Sequence, residues 1–169
     1  LHPRVRRQRQ MCIRDRTYAQ TPRDRATELK EQAQSSLNQK DYIKARYLFK
    51  KAYEAFATRE NYPQAIECGV QANALYVREN FYKEGFELCR DMDQLIWAGE
   101  QNQKKVFYDL RFLVNKERLQ MYTALKNPAQ AKTQLNKLEE TANLAKNDSL
   151  TEVLLYTKAN YYYTFNQNT

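Results

Sequence analysis

Two lysines each stand one helical turn before a glutamine. Lys30 precedes Gln34 and Lys116 precedes Gln120, in both cases by four residues. Because positions four apart share a helix face, each pair presents an ammonium and an amide donor side by side. Such donors can hold a carboxylate through charge-assisted hydrogen bonds. The alternative interpretation is that all four are ordinary exposed polar positions.

Residue types suited to catalysis are scarce. The only histidine is His2, so a Cys-His pair, a Ser-His-Asp set and a Cys/His zinc site are not expected. There is no Gly-rich phosphate loop. Paired acids at Asp91 and Asp93, and at Glu139 and Glu140, fit solvated helix faces. We therefore expect no catalytic residue, no metal and no cofactor, and we expect that the chain is not an enzyme.

Length and composition indicate one helical domain. The chain has 169 residues with only three Gly and four Pro, whereas Ala, Leu, Lys, Gln and Glu are abundant. The net charge is +8, but residues 1–16 hold six arginines and one aspartate and so supply five of those charges. We therefore expect no specific nucleic-acid binding by the remainder. The sequence contains no run of eighteen apolar residues, so it does not predict a membrane-spanning helix.

The first residues carry two different signals. As a basic arm, residues 1–16 would suit phosphate backbones, but Met11 to Arg16 (MCIRDR) resembles a translated sequencing-adapter fragment. Thr17 and Ala19, followed by Gln20, fit the small-x-small end of a secretory leader. We expect residues 1–22 to be a disordered leader and residues 23–169 to be the domain.

The sequence contains three cysteines, which could form disulfides if the protein is exported to an oxidising compartment. Cys12 lies in the leader, and Cys68 and Cys89 lie in the helical region. We expect Cys68 and Cys89 to be buried free thiols, with a disulfide between them as the alternative.

The segment from Lys40 to Phe56 predicts a helix with a narrow apolar seam. Its small and large residues recur at spacings of four, three and four, at Ala45, Phe49, Ala52 and Phe56. A preceding helix has matching apolar positions at Ala26, Leu29, Ala33 and Leu37. The two helices predict a hairpin that turns between Asn38 and Asp41.

This hairpin resembles the tetratricopeptide repeat. The matching residues of its second helix are Asp41, Tyr42, Ala45, Phe49 and Ala52; in the first helix, Ala33 and Leu29 match, whereas Ser36 replaces a usual aromatic. The resemblance implies an all-α fold of antiparallel helix hairpins stacked as a right-handed superhelix, an α-solenoid.

Five more helices are predicted downstream, which makes about seven over residues 24–166. The third spans Gln64 to about Arg78, and the fourth follows a turn at residues 80–82 and ends with Trp97 as a packing residue. The fifth runs from about Gln103 to Lys126, the sixth follows Asn127-Pro128, and the seventh begins at Asp148 or Ser149. The residues expected to pack the repeats are Ala33, Ala45, Phe49, Ala52, Tyr76, Gly85, Tyr122 and Ala131. The last helix would expose apolar residues unless further repeats cover it, and we expect a truncated domain.

The resemblance also implies a concave groove formed by the first helix of each hairpin. The positions expected to bind a protein or peptide partner are Lys30, Gln34, Asn38, Val70, Ala74, Arg78, Lys116 and Gln120, extended by Tyr161 and Phe165. The two Lys/Gln pairs resemble the carboxylate clamp of this family but have Gln where the clamp has Asn.

The expected function is non-catalytic binding of a protein or peptide. The leader and divergent repeats resemble the periplasmic region of bacterial sensor kinases and helix-turn-helix regulators, which implies an exported or membrane-anchored signalling protein facing the periplasm. The alternatives are a free-standing scaffold protein, a cytoplasmic location and, more distantly, an RNA-binding helical repeat.

Overall fold

A computed structural model describes residues 24–166 as seven α-helices, without a strand in that range. The leader expected at residues 1–22, with His2 and Cys12, lies outside the described residues. The all-α prediction is confirmed, and so is the number of helices. The helices are α1 (Arg25–Asn38), α2 (Tyr42–Thr58), α3 (Tyr62–Arg78), α4 (Tyr82–Gln103), α5 (Tyr108–Ala124), α6 (Pro128–Ala145) and α7 (Asp148–Asn166).

Short polar side chains begin most of these helices. Asp24 accepts a hydrogen bond from the backbone N–H of Ala26 at 3.1 Å, and Asp41 and Asn127 cap α2 and α6 in the same way. Pro128 lies in the first turn of α6, where its missing N–H costs nothing. These caps explain why the sequence located most helix starts correctly.

The turns between helices use the left-handed backbone conformation without glycine. All three glycines lie buried inside helices, and the residues with positive φ are Lys40, Glu60, Asn80, Lys104, Lys126 and Lys146, at 50° to 63°. Each follows the end of a helix, where a left-handed residue lets the backbone amides close onto the last carbonyls.

The helices stack as hairpins in a solenoid-like arrangement. Each helix packs on the next, and in addition α3 packs on α5 and α5 on α7. No comparable packing joins α1 with α3, α2 with α4 or α4 with α6 in the part of the chain that the structure describes. From α3 onward the odd-numbered helices therefore approach one another on one side, which we call the inner face, while α4 and α6 diverge on the outer face.

Two apolar clusters form the core, and α5 belongs to both. Val114 and Met121 face the cluster built by α1 to α4, whereas Phe112 and Leu119 face the cluster built with α6 and α7. All four side chains are almost fully buried. Since residues seven apart lie on one helix face, two apolar stripes cover different sides of α5.

The expected packing residues lie at the contacts between helices. Ala33, Ala45, Phe49, Ala52, Gly85 and Ala131 are buried, and Tyr76 and Tyr122 are half-buried. A Cβ atom at Gly85 would lie 2.7 Å from Met121 Sδ and 2.9 Å from Asn73 Oδ1. Gly85 therefore lies at a close contact of α4 with α3 and α5.

The predicted start of the fifth helix near Gln103 is wrong. Helix α4 continues to Gln103, Lys104 turns the chain, and α5 begins only at Tyr108. The buried carboxylate of Glu100 accepts hydrogen bonds from the Phe107 backbone N–H at 2.8 Å and from Arg111 Nε at 2.7 Å. This tertiary contact sets the helix boundary. The turn between α4 and α5 contains no Pro or Gly that would indicate the boundary from the sequence.

The prediction that Trp97 packs at the end of its hairpin is also wrong. Its side chain is 63% exposed. It lies on the outer side of α4, and no α6 side chain covers it because α4 and α6 do not pack together. Leu125 is likewise exposed, because it lies just after the end of α5.

Candidate functional site

A groove on the inner face lies between α5 and α7. Its volume is about 470 Å³, and Lys116, Gln120 and Thr123 of α5 face Asn160 and Thr164 of α7 across it. Spacings of three or four along each helix align these polar side chains in two facing rows. Tyr156 and Tyr161 add aromatic rings to the α7 wall, and we call this site the α5–α7 groove.

The charge of the α5–α7 groove is cationic. Lys116 and Lys126 line it, and no acidic residue is among the residues that line it. Glu117 follows Lys116 in sequence but is buried away from the groove, where it accepts a hydrogen bond from Asn73. Lys126 lies just beyond the carboxyl end of α5, where a cation is favourable for the helix dipole.

The neutral polar groups of the groove divide into donors and acceptors. Thr123 and Thr164 donate their hydroxyl hydrogens to backbone carbonyls one turn earlier, both at 2.8 Å. Their oxygens therefore remain as acceptors for a ligand. The amides of Gln120 and Asn160 can donate as well as accept. Together with two ammonium groups, these side chains suit a carboxylate that carries neighbouring peptide amides.

The lining of the groove lacks three residue types that often act in catalysis. No cysteine, histidine or carboxylate is among the side chains that line the groove, so it offers neither an activated nucleophile nor a general base of those types. Across residues 24–166, no group of His, Cys, Asp and Glu side chains is arranged to hold a metal ion.

The first Lys/Gln pair is arranged differently from the second. Lys30 of α1 donates to Gln64 Oε1 at 2.8 Å and pairs with Glu67 at 2.9 Å, both on α3. Gln34 instead donates to Asn38 at 3.1 Å. Lys30 therefore joins two odd-numbered helices, and its charge is already compensated, in contrast to Lys116.

The expected partner-binding positions of α3 lie on the helix between these two pairs. Ala74 and Arg78 are exposed, and Val70 is half-buried against the larger cluster. The Arg78 guanidinium lies over the ring of Tyr42, 3.9 Å from its centroid. Lys116 and Gln120 are thus the predicted residues that the structure brings into one groove, whereas Lys30, Gln34, Asn38, Val70, Ala74 and Arg78 lie elsewhere on α1 and α3.

Helix α7 contributes groove residues that the sequence interpretation did not select. Tyr161 lines the groove as expected, whereas Phe165 packs beside it on the smaller cluster, 4.9 Å away between ring centroids. Tyr156 and Asn160 are exposed, and they line the groove with Thr164. Their spacing of four was the available signal, since it matches the polar row of Lys116 and Gln120.

A second cavity of about 480 Å³ lies at the edge of the stack, where α4 connects to α5. Tyr62 and Phe107 line it with ring centroids 5.7 Å apart, and both rings pack over Gly99. The glycine is required because a Cβ there would lie 2.7 Å from the Phe107 ring. This cavity follows from the packing of the α4–α5 connection, and Gln103, Lys105, Tyr108 and Asp109 also line it.

Among the described helices, none is both long and apolar enough to cross a membrane.

The free cysteines follow the expectation from sequence. Cys68 and Cys89 are both buried and unpaired by a disulfide. Burial raises the pKa of Cys68 to about 11 and that of Cys89 to about 12. Both groups are therefore neutral thiols near pH 7.

Comparison with protein-family models, curated proteins and solved structures found no match for this chain.

Proposed function

We propose that this chain is a non-catalytic interaction domain of the tetratricopeptide type that binds a peptide carboxylate in the α5–α7 groove. The observation that carries the proposal is the position of Lys116, which lies with Gln120 in a groove that no acidic side chain lines. A carboxylate placed there can accept a charge-assisted hydrogen bond from Lys116. No acidic residue in the lining of the groove competes for this lysine.

Stacked hairpins with an inner row of polar side chains support the family assignment. Solenoids of this kind present an extended concave surface, and contacts add up along it. The inner positions of α1 and α3 then extend the peptide path, with Arg78 and Gln34 as exposed contacts. Lys30 has a structural part in this proposal, because it is already paired with Glu67.

We further propose that the domain belongs to an exported or membrane-anchored bacterial signalling protein that faces the periplasm. The support is the resemblance of residues 17–20 to a leader end, followed by divergent repeats. Reading the gene beyond codon 169 tests this proposal. A membrane helix and an output domain would support it, whereas a reading frame of repeats alone would identify a scaffold protein.

Isothermal titration with short synthetic peptides tests the binding site. Peptides that end in a free carboxylate are expected to bind, and the same peptides with an amidated end are expected to bind more weakly. Lys116→Glu should weaken the free-acid peptides by about tenfold or more, since it replaces attraction by repulsion. The matched control is Lys50→Glu on the outer side of α2, which is expected to have no effect.

Two results would contradict the proposed site. One is equal binding of the free-acid and amidated peptides. The other is binding that survives Lys116→Glu but is lost with Lys50→Glu, which would place the interaction on the outer face. Circular dichroism of each variant establishes that its helices are retained.

A further inference from the structure

A second groove crosses the outer face, where α4 and α6 diverge. Its volume is about 340 Å³; Trp97 of α4 and Lys137 of α6 form its walls, and Arg118 of α5 lies at its floor. We call it the outer groove. It exists because α4 and α6 make no close backbone packing, so that a strip of α5 remains uncovered between them.

The acidic residues of the outer groove are already paired. Asp93 pairs with Arg118, and the Glu100 carboxylate is held by Arg111 and by a backbone N–H. Lys137 has no carboxylate within ion-pair distance among residues 24–166. The uncompensated charge in this groove is therefore positive, which favours an anionic partner.

The helix faces that form the two walls continue beyond the groove. On α4, Arg90 precedes Trp97 by seven residues, and on α6, Leu144 follows Lys137 by seven residues; neither Arg90 nor Leu144 is among the residues that line the groove itself. Because seven residues are two helical turns, each pair lies on one helix face. Trp97 is 63% exposed and Leu144 is 53% exposed. An occupant that contacts Trp97 and Lys137 and extends along the two walls would therefore also reach Arg90 and Leu144.

We propose that the outer groove binds an acidic amphipathic helix of a protein partner. Carboxylates of that helix pair with Lys137 and Arg90, and its apolar face covers Trp97 and Leu144. Tryptophan is the residue type most enriched among the dominant contacts of protein interfaces. Two helix walls above an uncovered strip suit the helix-in-groove mode of recognition.

The apolar anchors favour a protein helix over a nucleic acid. A phosphate backbone would pair with Lys137 and Arg90 but would leave Leu144 in water, since it has no apolar face to cover it. The outer groove also lies on the opposite side of the stack from the α5–α7 groove. The inference therefore stands independently of the proposed function.

Fluorescence titration of the full chain tests the inference, because Trp97 is its single tryptophan. The probe is a synthetic amphipathic peptide of Glu and Leu, blocked at both ends so that it has no terminal carboxylate. The control probe has Lys in place of every Glu. We expect a saturable blue shift of Trp97 emission with the Glu peptide alone, since binding would remove the indole from water.

Variants locate the binding. Lys137→Glu is expected to weaken binding of the Glu peptide by about tenfold or more. Lys116→Glu in the α5–α7 groove is expected to leave the affinity for this peptide unchanged. Leu144→Ser should weaken binding as well, since it removes an apolar anchor.

The inference is overturned if the Glu peptide gives no shift at about millimolar concentration, or if the Lys peptide binds equally well. It is also overturned if Lys137→Glu has no effect, or if a short oligonucleotide shifts the Trp97 emission while the Glu peptide does not.

Discussion

The side-chain amide of Asn73 in α3 donates a hydrogen bond of 2.9 Å to the carboxylate of Glu117 in α5. Both side chains are buried, and the amide oxygen of Asn73 has no hydrogen-bond partner. Burial raises the pKa of Glu117, while the hydrogen bond from Asn73 and the charge of Lys116 oppose this rise. A protonated Glu117 can donate to the Asn73 oxygen while it accepts from the Asn73 nitrogen, which would satisfy both groups.

This pair predicts a specific pH dependence of stability. Because the pKa of Glu117 is higher in the folded protein than in the unfolded chain, its contribution is greatest below pH 4.5 and is lost as the pH rises through the folded pKa. Each unit of difference corresponds to about 1.4 kcal/mol. Urea unfolding from pH 4 to 8 measures this.

The control for that prediction is Glu117→Gln, which keeps the shape and cannot ionise. The stability difference between variant and wild type should grow in favour of the variant as the pH rises. A difference that does not vary with pH would show that Glu117 has an ordinary pKa. Cys89 also faces this region, but its pKa is about 12, outside the range from pH 4 to 8.

Replacing Gly85 by alanine is expected to destabilise the fold. Helix propensity alone would favour alanine by about 1 kcal/mol, but the new Cβ would lie 2.9 Å from Asn73 Oδ1. Met121 can move aside, whereas Asn73 is fixed by its bond to Glu117. We expect a net loss of about 1 kcal/mol, measured by urea unfolding. Ala74→Gly, at an exposed position of α3, calibrates the propensity effect, and a net gain for Gly85→Ala would refute the close contact.

Glu100 is expected to hold the α4–α5 connection. Its carboxylate is only 6% exposed and accepts from both Arg111 and the Phe107 backbone. Glu100→Gln removes the charge that these donors share and should cost about 2 kcal/mol in the free energy of unfolding. Glu54→Gln is the control, because its pair with Lys51 is exposed and contributes little. Equal effects of the two substitutions would argue against the role of Glu100.

Cys68 and Cys89 are expected to resist thiol reagents in the folded protein. Their pKa values of about 11 and 12 leave almost no thiolate at pH 8, and both side chains are inaccessible. The measurement uses a Cys12→Ser variant and a chromogenic disulfide reagent. The reagent should react slowly with the folded protein in buffer, and it should titrate two thiols per chain after denaturation. Rapid native reaction would show that a helix pair opens readily.

The sequence located the helix hairpins because their starts carry local signals. Asp41, Asn127 and Pro128 each indicate a helix start from the local sequence, and small residues such as Ala45 indicate where two helices pack closely. The α4–α5 boundary could not be found in this way, because it depends on the distant carboxylate of Glu100. Trp97 was misplaced for a similar reason, since its exposure depends on the divergence of α4 and α6.

The candidate groove was only partly predictable. Lys116 and Gln120 share a face by spacing alone, so their side of the groove followed from sequence. The opposite wall required the packing of α7 on α5, which no local pattern specifies. The sequence also could not show that Lys30 is paired with Glu67, because these residues of α1 and α3 come together only in the folded chain.

The weak packing of α7 has a consequence for partial unfolding. Helix α7 buries only Leu154 and Thr157, whereas α6 packs closely along α5, and Val114 and Met121 hold α5 to the larger cluster. The chain can thus open locally at α7, which forms one wall of the α5–α7 groove. A ligand in that groove would therefore slow the hydrogen exchange of α7 amides more than that of α1 to α4. Ligand binding and the folding of α7 onto the stack would then be thermodynamically coupled.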